Sequence, residues 1–342
     1  MLLRVALLLG WAAGEVNREA SGDGKYLHDL YGLVDESSTS MDAFERLHRT
    51  PLGGAIEQLR RIGREVPAVR LPIPRRIPHV SDKAIRANLQ NSLISVCSAR
   101  VLAAEKCVCK ERFSHFQIVE NKIPESLAAV AVDTYAHQII VSYRPTRTLK
   151  NAFTNLEFEL VQYPGAPRGV LVHKGFLKYH LSLNSQVEDA VGALLNQTKY
   201  RAFDVQVTGY SLGAGISIVS APTWVRFKRK YSYPNRFLFY SYSGPRVGNE
   251  PFAQYLANLN VPVMRYTNRE DSVPHVPIRS MGYVHVGVEF HEHMVAPNMT
   301  KLMRCSQVYD EDPRCSLRPH AVISFDRHYF PFNHFIPLPT YC

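Results

Sequence analysis

Two kinds of apolar pattern alternate along the chain after about residue 80. Short runs rich in β-branched residues predict strands at residues 128–133, 138–143, 204–208, 236–241 and 263–267. Longer runs, with apolar residues every three or four positions, predict helices at residues 81–99, 176–199, 212–220 and 251–258. Strands that alternate with helices predict an α/β fold, with a mostly parallel central sheet flanked by helices on both faces.

The strand predicted at 204–208 runs into the helix predicted at 212–220 through Gly209-Tyr210-Ser211-Leu212-Gly213. A strand that turns at once into a helix forces the corner residue into a strained conformation. Glycines two residues before and after it remove the Cβ atoms that would clash across the turn. This G-x-S-x-G pattern predicts that Ser211 is a nucleophile, held at the positive end of a helix. The alternative is a glycine-rich turn with a surface serine.

Changes in composition divide the chain into three segments. Residues 1–14 combine one arginine, a short apolar run and a small-residue end, which predicts a secretory signal peptide. Residues 15–76 contain no cysteine and end in a dibasic pair after a proline-rich stretch, which favours a cleaved propeptide. The alternatives are a cut at Arg60-Arg61 and an ordinary arginine pair in a linker. Residues 77–342 are then the mature domain of a secreted protein.

Composition and charge narrow the class of protein. Hydrophobic residues make up 46% and charged residues 20% of the chain, which is typical of a globular protein. The net charge is +10, and residues 15–76 contain equal numbers of basic and acidic residues, so the excess positive charge lies in the later domain. This excess would suit anionic lipid surfaces or acidic polymers, or serve solubility alone. The basic run at 226–230 is expected at a helix end, so no nucleic-acid partner is predicted.

All the cysteines follow the predicted propeptide, and an even number in a secreted chain predicts disulfides. They are Cys97, Cys107, Cys109, Cys305, Cys315 and Cys342. The sequence leaves the pairing open: 305 with 315 would close a short loop, 97 with 342 would join the domain ends, and 107 with 109 would form a tight ring. A metal site at Cys107 and Cys109 with His115 is the competing interpretation. No second ligand pair has zinc spacing, so no metal or cofactor is expected.

Three further motifs are assigned to the surface. Asn196 and Asn298 each begin a sequon for N-glycosylation, which predicts surface turns in a secreted protein. His291-Glu292-His293 is interpreted as a polar surface loop.

A serine hydrolase also needs an acid, a base and an oxyanion hole. Asp271 follows the strand predicted at 263–267 and comes after Ser211, as the acid does in the order of an α/β hydrolase, and Glu270 is its nearest rival. Thr146 follows the strand predicted at 138–143 and Leu212 follows the nucleophile, so both are placed to donate backbone N–H groups to an oxyanion. The base is left open among the histidines that follow: His285, His291, His293, His320, His328 and His334.

Apolar residues at helical spacing follow Thr146 directly. Leu149, Phe153 and Leu156 share one face of a short predicted helix. By periodicity alone a core helix is the better interpretation. The functional alternative is a lid, whose apolar face covers the serine in water and moves away at a lipid surface.

Several sequence blocks resemble the secreted class 3 lipases of fungi, in the order of that family. They lie at residues 172–176, 207–215, 244–249, 271–277 and 282–285. The resemblance covers roughly residues 80–342 and implies a compact α/β-hydrolase with a helical lid near residues 148–158. It implies Ser211 as nucleophile, Asp271 as acid, and Thr146 and Leu212 as oxyanion hole. It also implies three disulfides and a cleaved propeptide.

Three positions depart from the family pattern. Tyr210 stands where the family usually has histidine, and Pro145 where it usually has glycine. The proline removes one backbone N–H but leaves that of Thr146. The family's catalytic histidine is usually followed by two residues and then Tyr-Phe or Tyr-Trp, whereas Tyr329 and Phe330 directly follow His328. Counting forward from Cys315 selects His328 as the base, with His334 as the runner-up.

These residues together predict a secreted serine ester hydrolase. The apolar face of residues 149–156 favours long-chain acyl esters at an oil–water interface, hence triacylglycerol, and a monomer is expected. The alternatives are a feruloyl-type esterase of the same fold, whose lid tends to be more polar, and a non-catalytic secreted relative that keeps the fold.

Overall fold

The computed structural model describes residues 80–96, 113–122, 124–145, 158–296, 299–306, 310–317 and 326–333. Within them the strands are β1 (His115–Lys122), β2 (Glu125–Asp133), β3 (Gln138–Tyr143), β4 (Leu160–Gln162), β5 (Leu171–His173), β6 (Asp204–Tyr210), β7 (Phe237–Tyr242), β8 (Val263–Asn268), β9 (Val288–Ala296) and β10 (Met299–Arg304). The α-helices are α1 (Asp82–Asn91), α2 (Lys174–Leu195), α3 (Leu212–Val219), α4 (Ala221–Lys230) and α5 (Glu250–Asn258). Short 3-10 helices lie at Ile94–Val96, Val273–His275, Arg279–Met281, Asp326–Tyr329 and Pro331–Asn333.

One mixed sheet organises the domain, with strand order β1-β2-β3-β6-β7-β8-β9-β10. The neighbours from β3 to β9 in this order are parallel, whereas β1–β2, β2–β3 and β9–β10 are antiparallel. This confirms the predicted mostly parallel sheet flanked by helices. Because parallel strands share one direction, the segments that leave β3, β6 and β8 all emerge at the same carboxyl edge.

Alternation along the strands supplies both faces of the sheet with core residues. Phe237 and Phe239 of β7 pack into the cluster that includes α2, α3 and α4. Leu238 and Tyr240 pack into a second cluster with Ile85 and Leu89 of α1. Successive strand residues point to opposite faces, so helices cover this strand on both sides.

The helices begin where the sequence supplies a cap. The Ser81 side chain accepts a hydrogen bond from Ala84 N–H at the start of α1, and Asn249 does the same for Phe252 N–H at the start of α5. The α2 helix uses His173 instead, whose Nδ1 accepts from Gly175 N–H at 3.0 Å. Such side-chain acceptors satisfy N–H groups that have no partner within the helix.

The β9 strand corrects one sequence interpretation. His291-Glu292-His293 is not a surface loop, because it lies within β9 and both His291 and Glu292 are buried. Charged and apolar residues mix in this stretch, so its sequence resembles a solvated segment. The strand forms because its polar side chains find buried partners: Glu292 accepts from Tyr266, and His291 Nδ1 lies 3.0 Å from Thr267 Oγ1.

One predicted disulfide lies within the described residues, where Cys305 and Cys315 are joined. The other cysteines fall outside that part of the chain: Cys97, Cys107, Cys109 and Cys342. None of the described helices is both long and apolar enough to span a membrane.

Candidate active site

Ser211 occupies the turn between β6 and α3. Its φ of 57° and ψ of −122° place it in a conformation that residues with a side chain rarely adopt. Its N–H donates to the Tyr242 carbonyl on β7 at 2.9 Å, and its carbonyl accepts from Ala214 N–H at 3.1 Å. Both contacts hold the strained turn between the sheet and the helix, where the sequence predicts the nucleophile.

Glycines permit the close packing at this turn. A Cβ on Gly209 would lie 2.2 Å from the carbonyl carbon of Gly213. A Cβ on Gly213 would lie 2.0 Å from the carbonyl oxygen of Tyr143, the last residue of β3. The end of β3 therefore approaches the serine turn closely, and the chain proceeds from there through Arg144 and Pro145 toward Thr146.

His328 and Asp271 form a buried pair. His328 Nδ1 lies 2.8 Å from Asp271 Oδ2 and 3.0 Å from Oδ1. Asp271 Oδ1 also accepts from Val273 N–H at 2.9 Å. An ionised carboxylate can only accept hydrogen bonds, so a neutral His328 carries its proton on Nδ1 and keeps a lone pair on Nε2.

Two buried polar atoms at the site have no hydrogen-bond partner among the described residues. They are Ser211 Oγ and His328 Nε2. Ser211 is 1% exposed and His328 is fully buried. Buried polar atoms are nearly always paired in folded proteins, so these two atoms are the ones expected to engage each other or a substrate.

The segment that carries His328 is held by side chains from three strands of the sheet. Tyr210 of β6 donates through its hydroxyl to the His328 carbonyl. Asn268 of β8 donates to the Arg327 carbonyl. Glu292 of β9 accepts from Phe332 N–H at 2.9 Å. The position of His328 thus depends on strands that are distant in sequence.

Sequence reasoning missed the supporting roles of Asn268 and Glu292, and it treated Tyr210 only as a departure from the family pattern. No local signal identifies them, since their partners lie forty or more residues away. Glu270, the rival acid, has its carboxylate 4.0 Å from Arg327. The contact to His328 comes from Asp271 instead.

Some of the remaining predicted site residues lie within the described part of the chain, and the others lie outside it. Leu212 is the first residue of α3, where backbone N–H groups lack a partner one turn earlier. Asn196 is exposed at the end of α2. Several residues lie outside the described part of the chain: Thr146, Leu149, Phe153, Leu156, Asn298 and His334.

One group of potential metal ligands occurs among the described residues, formed by Glu289, Cys305 and Cys315. The two sulfur atoms are joined in a disulfide and are not available as thiolates. Glu289 Oε1 instead accepts from Thr267 Oγ1 at 2.7 Å and from Ser316 N–H at 3.2 Å. This cluster stabilises the disulfide-bearing segment rather than resembling a metal centre.

The chain is similar in sequence to known lipases. Residues 140–281 match the family model described as lipase (class 3). A lipase of Rhizomucor miehei is 30% identical over 228 residues, which cover 66% of this chain and 61% of the relative. The secreted mono- and diacylglycerol lipase 1 of Fusarium solani is 33% identical over 168 residues, which cover 48% of this chain and 46% of the relative. The chain thus spans less than two thirds of either relative.

A solved structure provides the structural comparison. The Rhizomucor miehei lipase propeptide complex superposes with a TM-score of 0.66 at 24% identity, covering 76% of this chain and 84% of the other. At this identity the superposition establishes a shared fold.

Proposed function

We propose that this chain is a class 3 lipase, the family that its sequence motifs resemble, and that it hydrolyses long-chain acylglycerol esters, triacylglycerols above all. The observation that carries the proposal is the buried contact between His328 Nδ1 and Asp271, beside the strained serine turn. Ser211, Asp271 and His328 therefore act as nucleophile, orienting acid and base.

The first half of the reaction forms an acyl-enzyme. Ser211 Oγ bonds to the ester carbonyl carbon while His328 Nε2 takes its proton, and the carbonyl π electrons move onto oxygen. Asp271 holds the ring tautomer and stabilises the imidazolium that forms. The tetrahedral intermediate then expels the glycerol oxygen, which receives the proton from His328.

The second half regenerates the serine. Water attacks the acyl carbon as His328 Nε2 accepts its proton, and the collapsing intermediate releases the fatty acid while Ser211 Oγ regains the proton. The oxyanion formed in each half is assigned to the backbone N–H groups of Leu212 and Thr146. Loss of one such donor typically costs about 10²–10³ in kcat.

The proposed processing is removal of residues 1–14 and then 15–76, which leaves residues 77–342 as an extracellular enzyme. The Fusarium relative is named as a secreted lipase, and a solved structure of a Rhizomucor lipase is a complex with a propeptide. Both support this division, which N-terminal sequencing of the secreted protein would test.

Fatty-acid release from emulsified triolein tests the function. The wild-type protein should release fatty acid at least about 10³-fold faster than Ser211→Ala, because the variant retains binding but lacks the attacking oxygen. Equal ester hydrolysis by both proteins would favour the non-catalytic relative. Hydrolysis of soluble feruloyl esters without activity on the emulsion would favour the esterase. Preference for dioleoylglycerol over triolein would favour the activity named for the Fusarium relative.

A further inference from the structure

The β9–β10 hairpin extends beyond the edge of the sheet that carries the candidate site. The parallel pairing of β9 with β8 ends at Asn268 and Glu292. The β9 strand continues to Ala296 and is paired there with β10. At about 3.3 Å per residue this overhang projects roughly 13 Å past the last β8 pair. Since β8 leads directly into Asp271, the overhang projects on the catalytic side.

Three large apolar side chains are exposed on this overhang. Met294, Val295 and Met299 expose 47%, 41% and 50% of their surface. Met294 and Val295 are successive strand residues, so they point to opposite faces of the ribbon. Single exposed apolar residues are ordinary on a protein surface, but several together at one projecting end mark an interaction site.

The charged side chains of the hairpin segment 293–304, apart from histidine, have one sign. Residues 293–304 contain Lys301 and Arg304 but no aspartate or glutamate. Lys301 is exposed on β10 and is paired in register with His293. An apolar end with cations behind it is typical of elements that insert between lipids while their charges meet anionic headgroups.

Association with a second copy through the edge strand β10 is the other candidate for this surface. Exposed edges invite such pairing, but bulges and lysines oppose it. The β9–β10 register shifts between Met299 and Thr300, and Lys301 follows immediately. These features favour a lipid surface over another strand as the occupant.

We propose that Met294, Val295, Met299 and Lys301 form a docking surface for a lipid–water interface that carries anionic headgroups. Docking there turns the carboxyl edge of the sheet, with Ser211 and Asp271, toward the lipid. The inference rests on the proposed function, because it gives the enzyme a contact with the surface of its substrate. It differs from a lid, since the docking residues belong to the sheet itself.

Vesicle binding by the protein as it is secreted tests the proposal without turnover. All proteins carry Ser211→Ala to prevent hydrolysis and keep Asn298, the predicted glycosylation site, as in the secreted protein. Binding to phosphatidylcholine vesicles containing phosphatidylglycerol is measured by flotation. The double variant Met294→Ser/Met299→Ser should bind about tenfold or more weakly, because it removes apolar surface from the contact. Lys301→Ser should weaken binding only when phosphatidylglycerol is present.

The matched control is Tyr135→Ser. Tyr135 is 92% exposed in the turn before β3, at the amino edge opposite the candidate site. This variant removes an exposed aromatic side chain that is larger than either methionine, and it should leave vesicle binding unchanged. Equal losses in the control and the double variant would show nonspecific adsorption and overturn the proposal.

Two further measurements separate this surface from catalysis and from self-association. With Ser211 intact, Met294→Ser/Met299→Ser should keep hydrolysis of soluble p-nitrophenyl butyrate and lose activity on emulsified triolein. A wild type inactive on both substrates would contradict the proposed function, whereas the flotation result would still decide docking. Unchanged flotation and triolein activity in the double variant would overturn docking. So would a dimer in sedimentation that the double variant converts to a monomer.

Discussion

Ser211 Oγ and His328 Nε2 are both buried and both lack a partner among the described residues. Leaving a buried polar atom unpaired costs about 1–3 kcal/mol, and a contact between these two atoms or with a substrate would remove that cost. The strained backbone at Ser211 adds a further cost at the same place. These residue-scale costs fall where the proposed mechanism needs a nucleophile and a base.

Replacing each of the two candidate histidines with alanine tests which of them is the catalytic base. His328→Ala should reduce ester hydrolysis by at least about 10³-fold, because it removes the ring that contacts Asp271. His334→Ala is the matched control and should retain most of the activity. Initial rates on a soluble ester, with folding checked by circular dichroism, provide the measurement. The opposite pattern would assign the base to His334.

At the scale of residues, the sequence predicts a functional residue only where a local motif surrounds it. Ser211 and Asp271 stand in motifs whose neighbours lie within a few residues, so the sequence marks them directly. The hydroxyl of Tyr210 and the carboxylate of Glu292 act on the His328 segment across long separations. A single sequence contains no signal for such contacts, and the choice between His328 and His334 therefore stayed open.

At the scale of elements, β3, β6 and α3 meet through backbone rather than side chains. The carbonyl of Tyr143 sits where a Cβ of Gly213 would lie, so the end of β3 and the start of α3 approach each other without a spacer. The predicted oxyanion segment leaves β3 at this point. A side chain at residue 213 would push that segment away from the serine.

Gly213→Ala should therefore lower the free energy of unfolding by about 2 kcal/mol or more, since the clash is with backbone that cannot rotate away. The matched control is Gly192→Ala in α2, where the nearest atom to a new Cβ is Phe227 Cζ at 3.6 Å. That change should be neutral or stabilise by up to about 1 kcal/mol, because alanine favours helix. Urea unfolding of both variants measures the difference, and equal stabilities would contradict the close approach.

Strand and helix prediction succeeded where the pattern was continuous. The β3 strand coincides with the predicted segment, and α3 and α5 agree to within one residue. The β9 strand was misread because its glutamates and histidines resemble a solvated loop, whereas the fold satisfies them internally. Tertiary partners, not local propensity, decide the structure of such a segment.

The molecule as a whole contains buried charges that join distant segments. Arg246 makes two hydrogen bonds of 2.7 Å to the carboxylate of Glu311, and Arg279 contacts both Asp310 and Glu311. Burial alone would raise the pKa of Glu311, but these arginines hold it well below its usual range. The network fixes the 310–317 segment, with its disulfide, against the loops that follow β7 and β8.

Buried neutral histidines should make the whole protein sensitive to acid. Burial, with a contribution from Arg226, lowers the pKa of His180 to about 3, and burial lowers that of His173 to about 4. The unfolded chain takes up these protons near pH 6.5, so stability is full above that pH and falls as the pH decreases toward the folded-state values. Each histidine contributes a slope of up to about 1.4 kcal/mol per pH unit.

His180→Gln removes one of these titrations while keeping a group that can hydrogen-bond to Thr223, the partner of His180 at 3.0 Å. Urea unfolding between pH 7.5 and 4.5 should show a shallower loss of stability in this variant. His137→Asn is the control, because His137 is exposed in a turn with positive φ that asparagine tolerates. A slope unchanged by His180→Gln would contradict the assignment of acid sensitivity to this residue.

Active-site labelling with a phosphonate tests whether Ser211 is the nucleophile. A long-chain alkyl phosphonate with a p-nitrophenolate leaving group should react with the wild-type protein in the presence of detergent micelles. It should release one nitrophenolate per chain and place the phosphonate on the peptide that contains Ser211, as read by mass spectrometry. Ser211→Ala should show no label, and His328→Ala should react far more slowly. Stoichiometric labelling at another residue, or equal labelling of wild type and Ser211→Ala, would show that Ser211 is not the nucleophile.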